Sequence, residues 1–237
     1  MGIKTILFDL DGTLLPMDQD VFVKDYFGRL AKKLAPIGYE PEKLIKAVWA
    51  GTMEMIKNDG SCANEEVFWK TFTSIFGEKA YDDIGVFDEF YRTDFGKVQS
   101  VCGFNPKAKE TVSKIKELGL RTVLATQPIF PSVATEQRIR WAGLEPEDFE
   151  LVTTFENSSY CKPNLDYYRE ILDKIGCKAE DCLMVGNDVG DDMVAESLGM
   201  KVFLLTDCLI NKSGEDISKY PNGSFDDLMA YICDILQ

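Results

Sequence analysis

The sequence predicts an α/β fold: a doubly wound parallel sheet with helices on both faces and a helical block inserted after the first strand. Two patterns carry that reading. After Pro106 the chain repeats helix, glycine and strand in turn, the rhythm of a parallel sheet whose crossovers are helices. Between about residues 18 and 95, apolar side chains instead recur at spacings of three and four.

Lys4 to Phe8 is a short β-favouring run that ends in Asp-Leu-Asp-Gly-Thr, with Gly12 supplying the turn. The block that follows reads as four helices and no strands. Its apolar positions are Val23, Phe27, Leu30 and Leu34, then Leu44, Val48 and Met55, then Phe68, Phe72 and Phe76, then Phe87, Tyr91 and Phe95. The Phe68, Phe72, Phe76 stripe has the spacing of a bundle's inner face, which outweighs a substrate-stacking surface. Beyond Pro106, helices are expected over 107–118, 132–142, 164–175, 191–198 and 225–236, the first four each closed by a glycine. Strands are expected over 122–125, 150–153, 182–185 and 202–205. Residues 1–17 and 98–237 then form one core, and residues 18–97 form the insert, hinged near 15–17 and 99–105.

At 237 residues the chain is long enough for a sizeable core plus a smaller unit. Its net charge of −14 repels nucleic acid and anionic lipid, and no basic run offsets it. The longest uncharged stretch, Thr122 to Thr135, carries two prolines and is shorter than the ~18 apolar residues a membrane span needs. Met1 leads directly into a strand-like segment without a signal-peptide pattern, and the seven scattered cysteines contain no Cys-x-x-Cys pair. A cytoplasmic protein with reduced thiols is expected. Zero histidine removes Ser-His-Asp and Cys-His chemistry and histidine-ligated metals, leaving carboxylates, lysine, hydroxyls, thiols or a hard cation held by oxygen.

Ligands of open parallel sheets sit at the carboxyl ends of the strands. Here those ends carry Asp9 and Asp11, Thr126, the segment leading to Lys162, and Gly186-Asn187-Asp188 followed by Asp191 and Asp192. Singly, these read as an Asp-Gly turn, a strand-end cap, a solvated lysine and an acidic helix start. All four at one edge of one sheet point to a site.

In order, FDLDGTLL, TVLATQP, YCKPNLDYY and MVGNDVGDDM resemble the four motifs of haloacid dehalogenase-like phosphohydrolases, and the insert is similar to their helical C1 cap. The resemblance covers essentially the whole chain. It implies the phosphatase or phosphomutase branch, because the dehalogenase branch lacks the second aspartate that Asp11 supplies. It further implies Mg²⁺ as cofactor and a small phosphorylated metabolite as substrate. Asp9 is then the nucleophile that forms an aspartyl-phosphate, and Asp11 protonates the leaving oxygen and later activates water. Thr126 and Lys162 bind the phosphoryl group and offset charge. The implied metal site comprises Asp9, the Asp11 carbonyl, Asp188 and, as supporting acid, Asp192; the register Asn187 with Asp191 is the alternative. Gln127 is assigned no more than a phosphate or cap contact, and Leu14, Leu15, Pro16 and Met17 are expected to line the entrance. A phosphomutase shares all four motifs. A receiver-type phospho-acceptor is disfavoured by the chain's length and by the aspartate pair ending the first strand.

Overall fold

The computed structural model describes residues 2–237. Five parallel strands, β1 (Thr5–Phe8), β2 (Arg121–Leu124), β3 (Cys182–Gly186), β4 (Lys201–Leu205) and β5 (Asn222–Gly223), form one sheet in the order β2-β1-β3-β4-β5. Central β1 is buried along its whole length, and Phe8 pairs with Leu124 on one side and Val185 on the other. Because successive strand residues face opposite ways, Ile6 and Phe8 enter one apolar cluster with Leu183, Val185 and Phe203. Leu7 enters a second with Val123, Met184 and Leu204.

Helices α6 (Pro106–Glu117), α7 (Ser132–Trp141) and α9 (Phe225–Ile235) cover the first face through Val112, Ile139 and Leu228, while α8 (Leu165–Ile175) covers the second through Tyr167, Tyr168 and Ile171. The sheet is doubly wound, as the helix-glycine-strand rhythm predicts. Local chemistry sets the helix ends. Asn105 caps α6 ahead of Pro106, Asn164 caps α8, Gly176 ends α8 in the left-handed conformation, and Ser224 with Asp227 forms a capping box on α9.

Between β1 and β2 the chain is helical: α1 (Gln19–Leu34), α2 (Pro41–Ile56), α3 (Asn64–Phe76), the single turn α4 (Lys79–Asp82) and α5 (Ile84–Thr93), closed by a 3₁₀ segment Phe95–Val101. This helical cap packs its aromatic residues inward. Phe72 is fully buried, stacks on Phe68 and meets Phe87 edge-on, as the spacing predicts. Met17 pairs antiparallel with Cys102, and the Gly103 amide donates to the Pro16 carbonyl at 2.7 Å, so the two linkers are laced together.

Three expectations are corrected. Residues 150–153 do not form a strand of their own: Val152 makes only a single bridge to Leu124, because the bonding slips by one residue, Glu150 N donating to Thr122 O while Leu124 N donates to Leu151 O, and beyond the bridge the Thr153 hydroxyl donates to Thr126 O. The helix expected over 191–198 is a 3₁₀ segment, Met193–Leu198, pinned by Asp192 at one end and by left-handed Gly199 at the other. Leu14 and Leu15 are fully buried in the core, and of that quartet only Met17 lines the site.

Candidate active site

The carboxyl ends of β1, β2 and β3 open onto one cavity of about 300 Å³ beneath the cap, lined by Asp9, Asp11, Thr126, Lys162, Asp188 and Asp192 among others. Asp9 and Asp11 follow β1 directly. Gly12 then turns the chain at φ +85°, and a Cβ there would lie 2.3 Å from Asn187 Nδ2. Only glycine lets the Asp9–Asp11 loop and the β3 loop approach this closely. The turn is tied down by Thr13, whose hydroxyl lies 3.1 Å from Asp9 Oδ2 and 2.9 Å from Asn187 Oδ1, while the Asn187 amide donates to Cys208 O.

Lys162 is the electrostatic centre. It is 2% exposed, and its Nζ donates to Asp9 Oδ1 at 2.8 Å and to Asp192 Oδ1 at 2.7 Å. Burial by itself disfavours the lysine's charge, but Asp192 and Asp9 outweigh it and hold its pKa well above the ordinary value. Burial pushes the Asp192 carboxyl up to about 7 against the pull of Lys162, and the Asp9 charge adds to the rise. The lysine's own loop is clamped by Gln127, whose Oε1 accepts from Lys162 N at 2.9 Å and whose Nε2 donates to Lys162 O at 3.1 Å. Gln127 therefore orients the lysine as well as lining the cavity.

Asp11 is held from behind by Arg138, a residue that none of the four motifs contains. Arg138 is fully buried in α7, ion-paired through Nη1 to Asp11 Oδ2, bonded through Nη2 to Thr135 Oγ1, and seated 4.5 Å over the Phe130 ring. Its only signal in the sequence is an arginine on the same helix face as Ala134 and Thr135. Burial raises the Asp11 carboxyl, the Arg138 charge counteracts, and Asp9 adds to the rise. Among the described residues three buried side-chain polar atoms have no partner: Asp11 Oδ1, Thr126 Oγ1 and Arg138 Nε. The first two belong to residues lining the cavity. Buried polar atoms are rarely left unpaired, so an acceptor or donor is expected of whatever enters.

For a hard cation the donors are oxygen only. Among the described residues no group of three or more Asp, Glu, His or Cys side chains is placed to chelate a metal alone. The arrangement nonetheless suits a metal held partly by main chain. No described N–H donates to the Asp11 carbonyl, and Asp188 uses one oxygen on the amides of Gly190 and Asp191, leaving the other without a partner among the described residues. Asp192 is differently placed. Its Oδ1 faces Lys162 and its Oδ2 accepts the Asp188 amide at 3.0 Å, so it orients Asp188 and Lys162. In the alternative register, Asn187 is committed to Thr13 and Cys208, whereas Asp191 lines the cavity.

Sheet, cap and site together define a class, and a haloacid dehalogenase-like hydrolase family model matches residues 3–199: the chain belongs to that family. Among curated relatives it is similar to the pyrophosphatase PpaX of Bacillus cereus (strain AH820), 24% identical over 201 residues, covering 85% of this chain and 82% of that one. Among solved structures it resembles a predicted phosphoglycolate phosphatase from Haemophilus somnus 129pt (19% identity, 97% of each chain, TM-score 0.59). It also resembles the putative HAD-hydrolase YfnB from Bacillus subtilis bound to magnesium (17% identity, 98% and 99%, TM-score 0.57). The L-2-haloacid dehalogenase RSc1362 is superposed as well, at TM-score 0.58 over 98% and 100% of the chains with 14% identity. The shared fold alone therefore does not separate the chemistries.

Proposed function

We propose that the chain is a Mg²⁺-dependent phosphatase of small phosphorylated metabolites, acting through an aspartyl-phosphate on Asp9, with residues 18–97 as its cap and residues 1–17 and 98–237 as its core. The observation that carries this reading is the pair of unpartnered buried oxygens, Asp11 Oδ1 and Thr126 Oγ1, in the same cavity as the Lys162-bound Asp9. A dehalogenase has no use for a second carboxylate two residues after its nucleophile. A phosphatase needs one.

Lys162 fixes Asp9 Oδ1 and offsets the charge of the approaching phosphoryl group, which would otherwise meet a carboxylate across a like-charge gap. Asp9 attacks phosphorus, and the bond to the ester oxygen breaks. Asp11, anchored through Oδ2 to Arg138, delivers a proton from Oδ1 to the leaving oxygen and then takes one from the water that hydrolyses the acyl phosphate. The Thr126 hydroxyl donates to a phosphoryl oxygen. Asp9, the Asp11 carbonyl and Asp188 would hold the metal, with Asp192 supporting; when bound, it neutralises phosphoryl charge as a hard Lewis acid.

The test is release of inorganic phosphate from a panel of phosphate esters with added Mg²⁺, comparing the native protein with Asp9→Asn. Release that survives the substitution would refute the assignment of the nucleophile. Interconversion of sugar phosphates without net release would move the protein to the phosphomutase branch.

A further inference from the structure

A second cavity, of about 150 Å³, lies beyond the catalytic one, between the cap and the core. Val23, Trp49, Thr52, Ile129 and Phe130 line both, so the two spaces adjoin along these shared side chains. The cavity's other walls are largely aromatic: Phe68, Trp69 and Phe87 from the cap, and Phe155 from the core. Its volume matches a group the size of benzene.

Its charged lining is one-signed, with Asp88 at the exposed edge. Among the described residues no Lys or Arg lines it, whereas Glu65, Asp88 and Glu156 do, and none of the three is in an ion pair. Glu156 spends both carboxylate oxygens on the Ser132 amide at the start of α7, and Glu65 has no side-chain hydrogen bond among the described residues. At Glu65, burial raises the carboxyl and the charges of Glu156, Asp88 and Glu66 raise it further. In the catalytic cavity the lining cations are Lys162, already shared between Asp9 and Asp192, and exposed Lys212.

We infer that the leaving group occupies this cap cavity, and that the preferred substrate is a phosphate monoester of an alcohol bearing one ring-sized apolar group and no anionic group. The inference rests on the phosphatase reading and sharpens it. A second phosphate or a carboxylate on the leaving group would meet three acids and no cation there. Pyrophosphate and phosphoglycolate, the substrates in the names of two similar proteins, should accordingly be poor substrates here.

The test is kcat/KM in Mg²⁺ for ethyl phosphate, benzyl phosphate, 4-carboxybenzyl phosphate, phosphoglycolate and pyrophosphate. Ethanol and benzyl alcohol are leaving groups of similar basicity, so their comparison isolates the pocket. Burial is worth roughly a factor of four per methylene, so benzyl phosphate should exceed ethyl phosphate at least about tenfold, mainly through KM. The added carboxylate should cancel that gain. Glu65→Lys should restore part of the turnover of the carboxybenzyl ester, and Ile84→Trp, which fills the cavity from its cap side, should depress benzyl phosphate more than ethyl phosphate. Equal rates on the ethyl and benzyl esters would overturn the inference. So would a preference for phosphoglycolate or pyrophosphate, and its loss in Lys212→Met would direct the leaving group to the outer mouth instead. Failure of the underlying phosphatase reading looks different: no ester would release phosphate, or release would survive Asp9→Asn.

Discussion

Replacing Asp11 should unsettle the fold as well as the chemistry. Arg138 is fully buried and Asp11 is its only charge partner among the described residues, while the Asp11 side chain is 22% exposed. The two ends of this pair are not equivalent. A guanidinium cannot shed its proton, so Asp11→Asn strands a cation in the interior; a carboxyl left without its arginine can take up a proton or a water. Breaking a buried pair costs roughly 3–5 kcal/mol, and since the substituted amide would still accept a hydrogen bond, the lower figure of about 3 applies. At about 2–4 °C per kcal/mol for a chain of this size, the melting temperature should fall by roughly 6–12 °C. Arg138→Met keeps most of the volume over Phe130 and should cost only about 1.5 kcal/mol. The double variant should then lie within about 1 kcal/mol of Arg138→Met alone, a coupling of about 2–4 kcal/mol. Calorimetric unfolding of the four metal-free proteins measures the cycle. Strict additivity, or an Asp11→Asn variant as stable as the native protein, would refute the account of Arg138 as a counter-ion.

In the phosphorylation step, Asp11→Asn should spare nitrophenyl phosphate relative to an alkyl phosphate by about 10², because a good leaving group needs little proton donation. Rapid-quench single turnovers with mass spectrometry of the protein measure this and should find an adduct on Asp9. Equal losses on both esters would reverse the assigned roles. EDTA should abolish turnover and Mg²⁺ restore it, while Ca²⁺, which takes more oxygens at longer distance, should compete without supporting turnover; full activity in chelator would exclude the metal. Gly186→Ala should cut kcat by about 10², since its Cβ would sit 2.1 Å from Asp192 Oδ2 and 2.6 Å from Asp192 Cβ and push that residue off Lys162, with circular dichroism reporting how far β3 shifts with it. An unchanged kcat would mean that Asp192 does not position the lysine.

What the sequence discloses about this site is what lies on strand ends. Asp9, Asp11, Thr126 and the acids after β3 are legible because a parallel sheet delivers strand termini to one edge, whatever the details of packing. Arg138 is not legible in the same way. Its partner stands 127 positions away and on another element, so periodicity reads it only as one more residue of a crossover helix. Gln127 is obscured for a related reason, since its work is done on the main chain of Lys162, which no side-chain motif records. Leu14 and Leu15 mislead in the opposite sense: adjacency to Asp9 and Asp11 suggests the entrance, but the turn at Gly12 folds them back into the core. The expected strand over 150–153 fails because its bonding to β2 slips by one residue at Glu150 and the Thr153 hydroxyl then donates to Thr126 O, a competition that β-propensity does not capture.

The laced linkers at Met17 and Cys102 also bear on how the chain reaches its fold. β1 and β2 are neighbours in the sheet, yet the whole cap separates them in sequence. Closing a loop of about 110 residues rather than about 30 adds roughly 1.2 kcal/mol of entropy to that pairing. A cap that folds on itself first brings its own two ends together and shortens the loop by that much. The insert then acts as a template for assembly of the sheet's centre, and variants that loosen the cap far from the cavity should slow protection of β1 amides in pulsed hydrogen exchange during refolding.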